Sequence, residues 1–136
     1  MPEDGGWQLL ESQVKIALDT NMLLAVEKFK LGLLEEIESN FPKALIAVPE
    51  QVLQELEILQ KRSKSLEKQV KIAKEVLKKA KFKVLQSKES NADKALLELS
   101  RNGFIIATND KELRKKVKKN SGKCLILRKK KFLVLE

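Results

Sequence analysis

Short apolar runs separated by amphipathic stretches recur along this chain, and their alternation predicts its elements. Residues 14–18, Val-Lys-Ile-Ala-Leu, have the length and β-branched content of a buried strand. Asp19-Thr20-Asn21 follows and suits a strand-to-helix turn with a helix cap. A helix begins at Met22–Val26, and a second runs from Lys30 to Ser39 with Leu31, Leu34 and Ile37 on one face. Asn40-Phe41-Pro42 ends it, and residues 44–48, Ala-Leu-Ile-Ala-Val, form a second strand. Pro49 suits the first position of the next helix, which turns Val52, Leu53, Leu56 and Leu59 inward. A longer helix over residues 63–80 carries Leu66, Val70, Ala73, Leu77 and Ala80 as its seam.

Lys83-Val84-Leu85 is a short strand candidate. Ser90-Asn91-Ala92-Asp93 opens a further helix in the manner of a capping box, and Gly103 closes it. Phe104–Ala107 is another apolar strand, ending in Thr108-Asn109-Asp110. A basic helix over residues 111–119, a turn at Ser121-Gly122, a core strand at 124–127 and an edge strand within 129–135 complete the pattern. Strands alternating with helices imply an α/β fold, its mainly parallel sheet covered on both faces. Residues 1–13 lack a period and contain Gly5-Gly6, so they read as a loose arm in which Trp7, Leu9 and Leu10 are the anchoring candidates.

At 136 residues the chain suits one domain, large enough to bury roughly two-thirds of its unfolded surface. No run is long and apolar enough for a membrane span, and the start lacks a signal-peptide pattern. The lone Cys124 has no internal partner and fits a reducing, cytoplasmic compartment. The net charge of +9 is unevenly distributed. Residues 111–136 hold 11 Lys or Arg against 2 Glu, residues 61–83 hold 10 against 2, and the remainder has 7 basic and 15 acidic residues. An acidic body with two basic flanks points to a polyanion approaching a group of carboxylates, with Lys115, Lys116 and Lys118 as candidate contacts to it. Lysines that simply solvate exposed helix faces are the alternative.

Asp19, Glu55, Asp93 and Asp110 are the candidate acids. Asp19 and Asp110 follow strands, whereas Glu55 and Asp93 lie in early turns of helices. In a parallel sheet these positions share the carboxyl edge. Capping is the competing role for each Asp, because a carboxylate there satisfies free amides. Four acids brought together repel unless a cation lies among them, and oxygen ligands select hard ions such as Mg²⁺ or Mn²⁺. With no histidine and one cysteine, the chain excludes a Ser-His-Asp triad, a Cys-His pair and a histidine-ligated zinc site. It also lacks the glycine-rich phosphate loop and the dinucleotide fingerprint.

The runs Ile-Ala-Leu-Asp19-Thr20-Asn21, Val-Pro-Glu-Gln-Val-Leu-Gln-Glu55-Leu, Ala-Asp93-Lys-Ala-Leu-Leu-Glu-Leu and Ala-Thr108-Asn109-Asp110-Lys-Glu-Leu-Arg together resemble a PIN domain over residues 14–136. The last of them, with the closing basic strand, most resembles archaeal relatives of Fcf-type ribosomal-RNA-processing nucleases; VapC-type toxins share the acids. The resemblance implies a three-layer α/β/α domain and a Mg²⁺- or Mn²⁺-dependent endoribonuclease. Asp19, Glu55, Asp93 and Asp110 would be catalytic and metal-binding, supported by Asn21 and Thr108. Lys94 departs from the pattern, standing where many Fcf-like members have a second acid, and Glu57 is close enough to be confused with Glu55. The expected partners are RNA, in the leading reading precursor ribosomal RNA, and a second copy in a homodimer. A toxin would add an antitoxin. A non-catalytic RNA-holding assembly factor is the rival from another class. With one Trp, five Phe and no Tyr, RNA shape or a partner is expected to set specificity rather than an aromatic platform.

Overall fold

The computed structural model describes residues 13–136; the anchoring candidates Trp7, Leu9 and Leu10 lie outside them. Its elements in chain order are β1 (Lys15–Leu18), α1 (Thr20–Phe29), α2 (Leu33–Asn40), β2 (Leu45–Pro49), α3 (Glu50–Arg62) and α4 (Lys64–Lys79). They continue with β3 (Lys83–Leu85), α5 (Ala92–Arg101), β4 (Ile105–Ala107), α6 (Lys111–Lys119), β5 (Cys124–Arg128) and β6 (Phe132–Leu135). The sheet order is β3-β2-β1-β4-β5-β6, parallel throughout except for the antiparallel β6. This is the α/β architecture expected, a central sheet flanked by helices.

Ile16, Ala17 and Leu18 are wholly buried because β1 has a strand on each side and helices over both faces. After β3 the chain crosses back over β1 to reach β4. Right-handed crossovers then send successive connections to opposite faces of the sheet. The helices α1, α3 and α4 pack on one another, and α5 packs on α6. The reversal falls between β1 and β4. A crevice opens outside the carboxyl ends of two strands whose connections diverge in this way. The Asp19 amide donates to the Ala107 carbonyl at 3.1 Å and holds the two strand ends together there.

Several boundaries differ from those read in the sequence. Lys30 ends α1 in a left-handed conformation (φ 53°) instead of starting α2, which begins at Leu33 behind Gly32. Leu33 and Ile37 therefore face the core, while Leu34 is half-buried. Pro49 finishes β2 and is the N-cap of α3, one residue ahead of the expected site. Asn91 caps α5, its side chain accepting the Lys94 amide at 2.9 Å; Ser90 is not the cap. The closing edge strand starts only at Phe132, because Lys129 and Lys130 take left-handed turn conformations. Gly122 does require its missing side chain, since a Cβ would lie 2.7 Å from a Val117 methyl.

Candidate active site

The four acids arrive from four elements at the carboxyl edge of the sheet. Asp19 follows β1 directly, so its side chain remains in the core and is only 6% exposed. One oxygen, Oδ1, caps α1 by accepting the amides of Asn21 at 2.6 Å and Met22 at 3.2 Å. The other, Oδ2, accepts the Thr108 hydroxyl from the end of β4. Thr108 is completely buried, and its Oγ1 in turn accepts the Asp110 amide at 3.1 Å. One threonine thus links the first and last of the predicted acids across the switch point.

Burial pushes the Asp19 carboxyl above its ordinary range. Hydrogen bonds from Thr108, Met22 and Asn21 oppose that rise, while the Asp93 charge adds to it. Asp93 is also raised, first by partial desolvation and then by Asp110, with Lys116 acting in the other direction. Asp19, Asp93 and Asp110 therefore share one electrostatic environment. Glu55 joins from the other side, where it accepts the hydroxyl of Thr20, the residue next to Asp19. Among the described residues, however, no three acids close around a common point as a finished metal cage would. The oxygens of Asp19, Glu55 and Asp110 are engaged with hydroxyls or helix-start amides instead.

The capping role holds for two of the acids. Asp19 and Asp110 are both N-caps, Asp110 accepting the amides of Glu112 at 2.9 Å and Leu113 at 3.1 Å. Asp93 makes no cap, because Asn91 already fills that role. Glu57 is paired with Lys74 of α4, whereas Glu55 accepts the Thr20 hydroxyl beside Asp19. Asn21 is exposed beside the acids. Lys118 is held by Glu136 at 2.9 Å, and it lines a groove together with Lys111, Arg114 and Lys115. Cys124 is buried and its thiol is pushed up by that burial, which suits a packing residue rather than a nucleophile.

The sequence pattern of the family described as "PIN like domain" matches residues 16–130. The chain belongs to the PIN-like domain family. A relative, Ribonuclease VapC4 of Methanocaldococcus jannaschii, is 36% identical over 123 residues, covering 87% of this chain and 93% of that protein. The same PIN-like fold is seen in the structure of the PIN domain endonuclease Utp24, with a TM-score of 0.74, 21% identity and 90% coverage of each chain. A domain of a functionally unknown protein from M. jannaschii is similar at a TM-score of 0.60 and 17% identity, over 85% of this chain and 91% of that one.

Two contributors to this PIN-like site escaped the sequence. Thr20 reads as a turn residue, yet its hydroxyl fixes a carboxylate 35 positions away. Asn109 locks β5 in place, its Nδ2 donating to the Leu127 carbonyl at 3.0 Å and its Oδ1 accepting the Leu127 amide at 2.7 Å. Neither contact leaves a periodic signal, because each depends on which strands become neighbours.

Proposed function

We propose that the protein is a divalent-metal-dependent endoribonuclease that hydrolyses RNA phosphodiester bonds, with ribosomal-RNA processing as its role. The observation that carries the reading is the buried Asp19, bonded to Thr108 at the switch point and electrostatically coupled to Asp93. An all-oxygen donor set and a buried carboxylate with no cationic partner among the described residues fit a hard divalent ion. Asp19, Glu55, Asp93 and Asp110 would hold Mg²⁺ or Mn²⁺, which when bound supplies a ligand for phosphate oxygen and a more acidic water. The open arrangement of the acids suits weak binding completed by substrate phosphate.

The chain's own part is positioning. Thr108 fixes the rotamer of Asp19, and Thr20 does the same for Glu55. Asn21 offers an exposed carboxamide to the strand being cut. Lys116 sits near enough to Asp93 to moderate its charge, and with Lys115 it draws the phosphate backbone to the acidic edge. Lys118 has a smaller share in that role because of its bond to Glu136. We take residues 14–136 as one nuclease unit preceded by an arm, acting in the cytoplasm, where the buried Cys124 stays reduced. The exposed Phe132, Val134 and Leu135 of β6 give a homodimer its candidate face.

The 36%-identical ribonuclease favours a second reading, a VapC-type toxin with an antitoxin partner. Purified protein given precursor ribosomal RNA and unrelated RNAs tests the proposal. Cleavage should vanish with EDTA and return with Mn²⁺ or Mg²⁺, at few positions in the precursor. Full activity after exhaustive chelation would overturn it, and so would a complete absence of cleavage with either ion.

A further inference from the structure

A cleft of about 470 Å³ runs from Asp110 between α1 and α4. Met22, Ala25 and Phe29, successive positions on one face of α1, form one wall, and Leu66 of α4 and Leu127 of β5 form the rest. Leu66 falls on the seam that the sequence assigns to the core. Val70, Ala73 and Leu77 are buried and Ala80 packs against them, whereas Leu66 is absent from that packed set and lines the cleft. Among the described residues, Leu66 thus adds to the cleft an apolar side chain from outside the packed core, facing the core residues Met22 and Ala25.

We propose that this cleft is a nucleobase slot for the RNA strand whose phosphate reaches the acids. The inference rests on the nuclease reading and adds a specificity determinant to it. Three features favour a base. The cleft is continuous with the reaction centre, since Asn21 and Asp110 line it. Its volume lies in the ordinary range of small-molecule sites, about 300–1,000 Å³. It has cations beside it: Lys28 lines it, and the amines of Lys28 and Lys130 lie 5.3 and 5.1 Å from the centroid of the Phe29 ring in its wall, which suits a strand carrying phosphates.

Gln69, one turn after Leu66, places a carboxamide in the same cleft, with no side-chain hydrogen-bond partner among the described residues. A carboxamide offers both a donor and an acceptor, the pattern that reads the edge of a base. Apolar walls exclude the phosphate itself and accept the flat face of a base. Discrimination thus comes from a slot of aliphatic residues and one phenylalanine, without the stacking platform that the sparse aromatics rule out.

The test uses binding, so it stands apart from turnover. Short RNA oligonucleotides, each lacking one base at a successive position, are titrated against wild-type protein in EDTA and followed by fluorescence anisotropy. One position should be sensitive, binding about tenfold more weakly without its base. Leu66→Trp, which fills the cleft, should weaken the intact RNA to the level of that abasic RNA and leave the abasic RNA unchanged. Gln69→Ala keeps the apolar wall and should remove part of the same difference even if the bulky variant fails to fold. Equal binding of every abasic RNA to the wild type would overturn the slot while a parallel Mn²⁺ cleavage assay still reports on the nuclease. Loss of affinity in Leu66→Trp that is the same for intact and abasic RNA would also overturn it, leaving a protein segment as the occupant.

Discussion

The ends of β1 and β4 carry the same three residue types in different order, Asp19-Thr20-Asn21 and Thr108-Asn109-Asp110. In each, an Asp caps the following helix. The position beside the strand decides the rest. At β1 that position holds the carboxylate, which is buried and pushed above its ordinary range. At β4 it holds Thr108, which is equally buried but neutral, and Asp110 stands two residues further out, exposed to solvent. The second end supplies the hydroxyl that the first end's acid needs. The asparagines divide in the same way: Asn109 is bound to the β5 backbone, and Asn21 is exposed beside the acids. Order along the chain therefore separates a charge-holding end from a supporting end.

The largest expected effect of breaking this asymmetry is at Asp19. Asp19→Asn preserves volume and cap but removes the buried charge, and RNA cleavage should fall by more than about 100-fold, the upper range for losing a mere outer partner of a metal ligand. Steady-state cleavage with a fold check by circular dichroism measures it. Thr108→Val should cost about 10–100-fold in cleavage. It removes the hydroxyl from Asp19 and leaves the Asp110 amide without an acceptor, so thermal melting should show a less stable fold as well. Unchanged activity in Thr108→Val would mean that the two ends act independently.

Asp110→Ala should lose about 1 kcal/mol of stability through the cap of α6, whereas Asp110→Asn should retain that stability and lose activity alone. Urea denaturation of the pair separates cap from charge. A milder effect is expected on RNA delivery. Replacing Lys115 or Lys116 by Gln should reduce the log–log salt slope of RNA binding by about 0.7 for each lysine that contacts a phosphate of single-stranded RNA. Lys118→Gln should alter the slope less, because Glu136 already holds that amine.

The smallest effect is expected far from the acids. Hydrogen bonds from Lys118 and Arg114 lower the Glu136 carboxyl to about 2. A depressed acid stabilises the fold above its unfolded value and loses that contribution as pH falls through the folded one. Wild-type melting temperature should therefore drop between the ordinary carboxylate range and pH of about 2, and Glu136→Gln should remove part of that drop.

Much of this organisation was legible beforehand, because it rests on local pattern. The buried runs at Ile16–Leu18, Ile46–Val48 and Ile106–Ala107 identify the strands, and acids placed just after strands or in early helical turns identify the edge. Element boundaries were less legible. Lys30, Lys129 and Lys130 adopt left-handed turns without glycine, so composition gave no warning. The Thr20–Glu55 and Asn109–Leu127 bonds were invisible, since they join residues brought together only by the sheet order. Leu66 misled for a related reason: helical periodicity locates a face, but it does not reveal whether core or cleft lies opposite.

The central claim is that the β1 end holds a buried charge awaiting a cation. Its most direct test compares melting temperatures of wild type and Asp19→Asn, first in EDTA and then over a Mn²⁺ series. Without metal the variant should melt a few degrees higher, because it lacks a carboxylate whose charge is disfavoured first by burial and then by Asp93. Mn²⁺ should then raise the wild type and close the gap, through binding to the folded state alone, while the variant hardly moves. A wild type that is the more stable protein in EDTA, or a Mn²⁺ shift of equal size in both, would contradict the account.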